Sequence, residues 1–424
     1  MRNNKARDER PRNLKPVKTI ELSEDNVKRR WIMVGIFIAI AIVAFGVWLI
    51  SALTVEPGWI EVEAESSYLH CGEDFIFSYY LGAEEESPTK EKKQLKTLYS
   101  EAAVKAYWLF DTTREFEGGI NICYLNNYPN TELEIDPALY KALSTAKKGG
   151  RWLYLGGLYV EYETLFFGIE DYPSSAEWDP MTNSEFGEYC QKLATFASDS
   201  EAIELELLGN NRVILHVSEE YLSYARENNI TVFIDFHRMK NAFVIDYLAD
   251  VMTENGYTHG CISSYDGYVR NLDGSGTTYS LNLFDMNGEF VYNAARLDYN
   301  SKRSTVTLRS YPMGEKDGYS FYSLPGGKII PPYIDCEDGL YRTATDTLIS
   351  YSENEGCSEL LMRLLPIYVE DTLDTDALNS LTASGVYSIW FEGSELYHNQ
   401  ENINLSGIYS DENIAYKAVF SKKQ

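Results

Sequence analysis

Residues 31–53, WIMVGIFIAIAIVAFGVWLISAL, contain no charged side chain. About 20 consecutive apolar residues reach across the hydrocarbon core of a bilayer, so this run is expected to be a single transmembrane helix. Trp31 and Trp48 stand near its ends, where interfacial aromatic residues are enriched. Lys28-Arg29-Arg30 directly precede it, after Arg2, Lys5, Arg7, Arg10, Arg12, Lys15 and Lys18. Positive charge stays on the cytoplasmic side. The expected organisation is therefore a basic cytoplasmic tail over residues 1–30, a transmembrane helix over 31–53 and an extracytoplasmic domain over 54–424. A cleaved signal peptide is the rival reading, but its apolar region would be shorter and followed by a small-residue cleavage site.

The remainder of the chain is acidic enough to outweigh this tail: the whole sequence carries a formal net charge of −27, from 64 Asp and Glu against 37 Lys and Arg. Binding to phosphate backbones requires clustered Lys and Arg, which excludes nucleic acid as a partner. With 44% hydrophobic residues among 424, the chain has enough apolar surface for a large core. The six cysteines, Cys71, Cys123, Cys190, Cys261, Cys336 and Cys357, form no CxxC pair, against a zinc or thioredoxin-type site. Disulfides outside the cytoplasm and buried free thiols both remain open. His70, His216, His237, His259 and His398 show no metal spacing, and no GxSxG or HExxH motif occurs.

Periodicity and turn residues divide the domain into strands and helices. Residues 83–94 are charged and read as a loop, followed by a helix over 95–110 with apolar residues at helical spacing. Asp136-Pro137 begins another helix, with Asp136 as N-cap and Pro137 at the first helical position. Residues 202–208 and 211–217 form a hairpin around Gly209-Asn210. The apolar run 360–369 reads as a strand, and residues 376–383 as a short helix. No internal repeat is present, so one α+β domain of mixed sheets and helices is expected.

Two strand-to-helix turns carry the chemistry. In the first, Val232-Phe233-Ile234 reads as a strand feeding a helix, with Asp235, His237, Arg238 and Lys240 between them. Free N–H groups and the helix dipole favour anions at such a junction. Asp246 and Asp250 would share one face of the helix that follows. The second is the acidic turn over residues 370–376.

Several pieces, taken in order, resemble the ApbE flavin transferases, which move FMN from FAD onto a Thr or Ser of a target protein. Residues 115–139, ending NTELEIDPAL, are similar to the family's "SEISRLN…VSPEL". KGGRWLYLGGL (148–158) is similar to "TGGAFDPTVGPL", and DFHRMKNAFVID (235–246) to "DLGGIAKGYAVD". PYIDCEDG (332–339) resembles "HIIDPRTG", and DALNSLT (376–382) resembles "DALATAL". The resemblance implies an ApbE-like, T-fold-like domain that uses FAD and Mg²⁺ on a protein substrate. It implies Asp376 as the catalytic, metal-holding carboxylate. Mg²⁺ would be held by Asp376, Ser380 and the Lys240 carbonyl, an oxygen set suited to a hard cation. The flavin nucleotide would be held by Asp235, Lys240, Asn241, Asp246 and Asp335. The family's glycines after Asp-Leu are His237 and Arg238 here, and its Lys falls on Asn241. Two functions follow: Mg²⁺-dependent FMN transfer, or a catalytically inactive interaction module with the nucleotide pocket closed by His237 and Arg238.

Overall fold

The computed structural model describes residues 27–65, 71–83, 87–167, 175–274 and 276–421. The tail of residues 1–26 lies outside them. The chain divides into two units, Met1–Val55 and Glu56–Gln424. The first contains helix α1 (Val27–Leu53), in which Lys28, Arg29 and Arg30 form the first turn. It is the one helix among the described residues long and apolar enough to cross a membrane, with a mean hydropathy of 2.5.

The second unit begins with the antiparallel pair β1 (Gly58–Val62) and β2 (Phe75–Leu81). Then follow α2 (Pro88–Phe110), α3 (Ile122–Asn127), β3 (Glu132–Glu134), α4 (Pro137–Lys148), α5 (Gly156–Leu165) and α6 (Ser184–Ser198). The hairpin β4 (Ile203–Gly209) and β5 (Arg212–Val217) turns through Asn210 and Asn211, both at positive φ. After it come α7 (Glu219–Asn228), α8 (Lys240–Glu254), β6 (Gly260–Ser264) and β7 (Tyr268–Asn271). The long pair β8 (Tyr279–Asn287) and β9 (Phe290–Tyr299) leads to β10 (Arg303–Arg309), α9 (Glu315–Gly318), β11 (Tyr322–Ser323) and β12 (Ile329–Ile330). The chain continues with β13 (Thr347–Ser352), α10 (Cys357–Tyr368), α11 (Thr375–Leu381), β14 (Val386–Glu392), β15 (Glu395–His398), β16 (Leu405–Ser406) and β17 (Lys417–Phe420).

Nine strands form the main sheet, in the order β1-β2-β6-β7-β10-β13-β14-β15-β17. Neighbours are antiparallel except β15 and β17, which run parallel. Helices α2, α8 and α10 pack on this sheet and on one another. Elsewhere the three-stranded sheet β16-β9-β8 covers it: Leu283, Ala295 and Leu297 meet Ile349, Tyr351, Ile389 and Phe391 in one apolar cluster. All six residues of β13 are buried, as expected for a strand covered on both faces.

The caps behave as their chemistry requires: Asp136 accepts from Ala138 N at 2.8 Å, and Ser218 accepts from Tyr221 N at 3.2 Å. Three local expectations are corrected. Residues 88–94 belong to α2, because Pro88 follows Ser87 at its start and Glu91 and Leu95 turn inward. Residues 360–369 belong to helix α10 up to Tyr368; a continuous apolar run looks alike as a buried helix or a buried strand. Val232-Phe233-Ile234 is not a strand. It is irregular backbone, bent at Phe233, whose partner is a side chain: Asn126 Oδ1 accepts from Phe233 N and Ile234 N, and Asn126 Nδ2 donates to the Ile234 carbonyl, each at 2.9 Å. The aromatic segment after Arg151, which carries no clear period, contains helix α5. Its Gly156 lies so close to residues 233–234 that a Cβ would stand 2.9 Å from the Phe233 carbonyl carbon. All six cysteines are free thiols.

Candidate functional site

Asn126 and Gly156 hold residues 232–234 against the domain, and this places the turn that follows. Asp235 accepts from His237 N at 2.8 Å, while its own N–H donates to the Leu153 carbonyl at 3.0 Å. His237 adopts φ +45°, a conformation that favours glycine and costs an L-residue energy. Its ring stacks on Tyr159 of α5, centroids 4.2 Å apart and planes 10° apart. Burial, then Arg238 and Lys240, pushes the imidazole well below its ordinary value, so it is neutral.

Arg238 extends the other way. Its guanidinium meets both carboxylate oxygens of Glu163 on α5, at 2.7 and 3.0 Å, and donates to Ser320 Oγ at 2.9 Å. Both bonds to Glu163 come from Nη2 and the bond to Ser320 from Nη1, and hydrogen bonds between charged partners are stronger than neutral ones. Asn241, in the first turn of α8, donates to Asp266 at 3.0 Å. Burial pushes the carboxyls of both Asp235 and Asp266 up to about 6.

These groups surround a cleft of about 560 Å³. Ala106, Tyr107 and Phe110 of α2 form an apolar wall, and Tyr159, Val160 and Glu163 of α5 face Lys240 and Val244 of α8. Of the residues expected to form a site, the structure brings Asp235, Lys240 and Asn241 together here, with His237 and Arg238.

The others lie outside that lining. Asp246 accepts from Cys357 N (2.9 Å), Ser358 N (2.8 Å) and Ser358 Oγ (2.6 Å), so it caps α10. Asp335 belongs to a separate loop, accepting from Glu337 N and pairing with Arg342 at 3.3 Å. Asp376 and Ser380 are exposed on α11, which packs on β14 and is tied to Asn399 and Ser421. Ser380 Oγ donates back to the Ala377 carbonyl at 2.6 Å.

The expected metal set of Lys240, Asp376 and Ser380 is therefore not assembled. Helix α8 packs on β6 and β7 and α11 on β14. β7 and β14 are three strand steps apart in the sheet, roughly 14 Å at the usual spacing. Among the described residues no cluster of three His, Cys, Asp or Glu side chains is disposed to hold a metal. Lys240, Asp376 and Ser380 thus do not come together as an oxygen set for Mg²⁺, and His237 and Arg238 line the cleft at the turn.

Glu163 and Tyr159 were missed by sequence reasoning. They sit i and i+4 on α5, a spacing that shares a helix face, but the aromatic character of that segment concealed the helix.

No protein-family model matches the chain, and no curated protein matches its sequence. Solved structures do. The chain is similar to the ApbE protein of Thermotoga maritima, with TM-score 0.54 and 13% identity over 79% of this chain and 94% of that one. It is also similar to the flavin transferase ApbE of Vibrio cholerae, with TM-score 0.50 and 8% identity over 83% and 98%. At such low identity the likeness concerns the fold, and the fold of this chain is ApbE-like.

Proposed function

We propose that the globular unit is a non-catalytic binding module on the flavin-transferase fold. In this reading α1 tethers it to a membrane, with residues 1–30 in the cytoplasm and 54–424 outside. The filled turn carries the proposal. Arg238 is held by Glu163 across the cleft and His237 lies against Tyr159, on the backbone that the resembled family leaves to glycine. Bulk at a close-approach turn removes the close approach. The separation of Lys240 from Asp376 and Ser380 supports the same reading.

The test uses the full chain in detergent with FAD, Mg²⁺ and a Thr- and Ser-containing acceptor peptide. The expected result is no AMP release and no peptide mass increase by FMN. AMP release in step with peptide flavinylation would overturn the proposal. A His237→Gly/Arg238→Gly variant should bind FAD at least ten-fold more tightly than the parent, read by flavin fluorescence. The second reading, FMN transfer from FAD to a Thr or Ser of a partner protein, is favoured by the 560 Å³ that remains and by Lys240 on its wall.

A further inference from the structure

The end of α2 borders a second groove, of about 970 Å³. Ala106, Tyr107 and Phe110 face the cleft, whereas Val104 and Trp108, on a neighbouring face of the same helix, line the groove. The other wall is the loop that follows α2, and it is firmly built. Asn121 is buried and donates to the carbonyls of Trp108, Asp111 and Arg114 at 3.1, 3.1 and 2.7 Å. The Asp111 carboxylate accepts from Thr113 N and Arg114 N. These bonds hold Phe116 stacked on Trp108, 5.6 Å between centroids and 21° between planes. Val104, Trp108, Phe116 and Ile120 remain only half-buried. The result is a preorganised aromatic wall facing solvent, and preorganisation lowers the ordering cost of binding.

Carboxylates outnumber cations around this wall. Glu101, Glu117 and Glu134 stand exposed on the rim without an ion pair among the described residues. The rim cation, Lys105, is already paired with Asp136 at 2.8 Å. The chain itself shows what the wall attracts: the Arg114 guanidinium lies 5.5 Å from the Phe116 ring and 5.7 Å from Tyr107. Cations are drawn to aromatic faces, and a rim of carboxylates steers basic partners toward them.

We propose that this groove binds a basic peptide segment of a partner protein. An apolar side chain would rest on the Trp108–Phe116 wall, and flanking Lys or Arg would pair with Glu101, Glu117 and Glu134.

The test is fluorescence anisotropy on the full chain in neutral detergent, with labelled Lys-Lys-Leu-Phe-Lys-Lys as the probe. Its controls are Glu-Glu-Leu-Phe-Glu-Glu and Lys-Lys-Gly-Gly-Lys-Lys. The proposal expects the first peptide to bind at least ten-fold more tightly than either control. The Glu101→Lys/Glu117→Lys/Glu134→Lys variant should lose at least ten-fold, and Phe116→Ala should lose affinity for the Leu-Phe peptide while keeping the parent's melting temperature. A Glu219→Lys/Glu220→Lys variant on α7, both side chains exposed, should bind as the parent does. Equal loss from the α7 variant, equal binding of the Gly-Gly peptide or no binding of the Leu-Phe peptide would each overturn the proposal.

Discussion

Helices α10 and α11 begin in contrasting ways. α10 leaves β13 in the middle of the sheet, and a carboxylate from another helix caps it. Gly356 makes this contact available, since a Cβ there would stand 2.4 Å from Asp246 Oδ2. α11 caps itself, with Asp374 accepting from Ala377 N at 2.8 Å, on the flank of the sheet beside β14. The helix start beside α8 therefore presents Cys357 and Ser358, while the start rich in carboxylates lies away from it. Position in the sheet, not the letters of a short motif, decides which helix start can serve the cleft.

The sharpest way to break this contrast is Asp246→Ala. It leaves two N–H groups and the Ser358 hydroxyl without their acceptor, and Arg270, whose Nε lies 3.4 Å from Asp246, without its counter-charge. The expected loss is about 3 kcal/mol of stability in urea unfolding. A loss under about 1 kcal/mol would mean that the cap is incidental.

The second difference is one of pH. Burial raises the carboxyl of Asp246 and brings Asp235 and Asp266 to about 6, against about 4 for an unfolded chain. The native state then holds more protons than the unfolded state between those values. The stability these three carboxyls contribute should therefore be fully present below about pH 4, fall as the pH rises to about 6 and level off beyond it. Urea midpoints across pH 4–7 measure this, and Asp235→Asn should flatten the fall where Asp374→Asn leaves it intact.

Smaller effects belong to α11. Asp374→Ala removes an ordinary N-cap and should cost about 1 kcal/mol. Asp376→Asn changes an exposed side chain and should stay within about 0.5 kcal/mol in the same unfolding assay. A larger loss at Asp376 than at Asp374 would place a partner on that carboxylate.

Much of the fold was legible in the residues. The apolar run before Leu53, the Asp136-Pro137 cap and the hairpin read around Gly209-Asn210, whose turn falls one residue later, all act locally, so their chemistry reads directly from the chain. The order of the degraded motifs carried the ApbE-like fold. The site was less legible because it depends on contacts between distant segments. Nothing local to Val232–Ile234 announces that Asn126 will satisfy its backbone, and no composition says that α10 rather than α11 will stand beside α8. His237 and Arg238 were recognisable as bulk in place of glycine. Their anchors, Tyr159 and Glu163, were not.

Helix α2 gives the cleft one wall and the groove another. An occupant of either cavity that shifted α2 would alter the affinity of the other, and by the same factor in both directions.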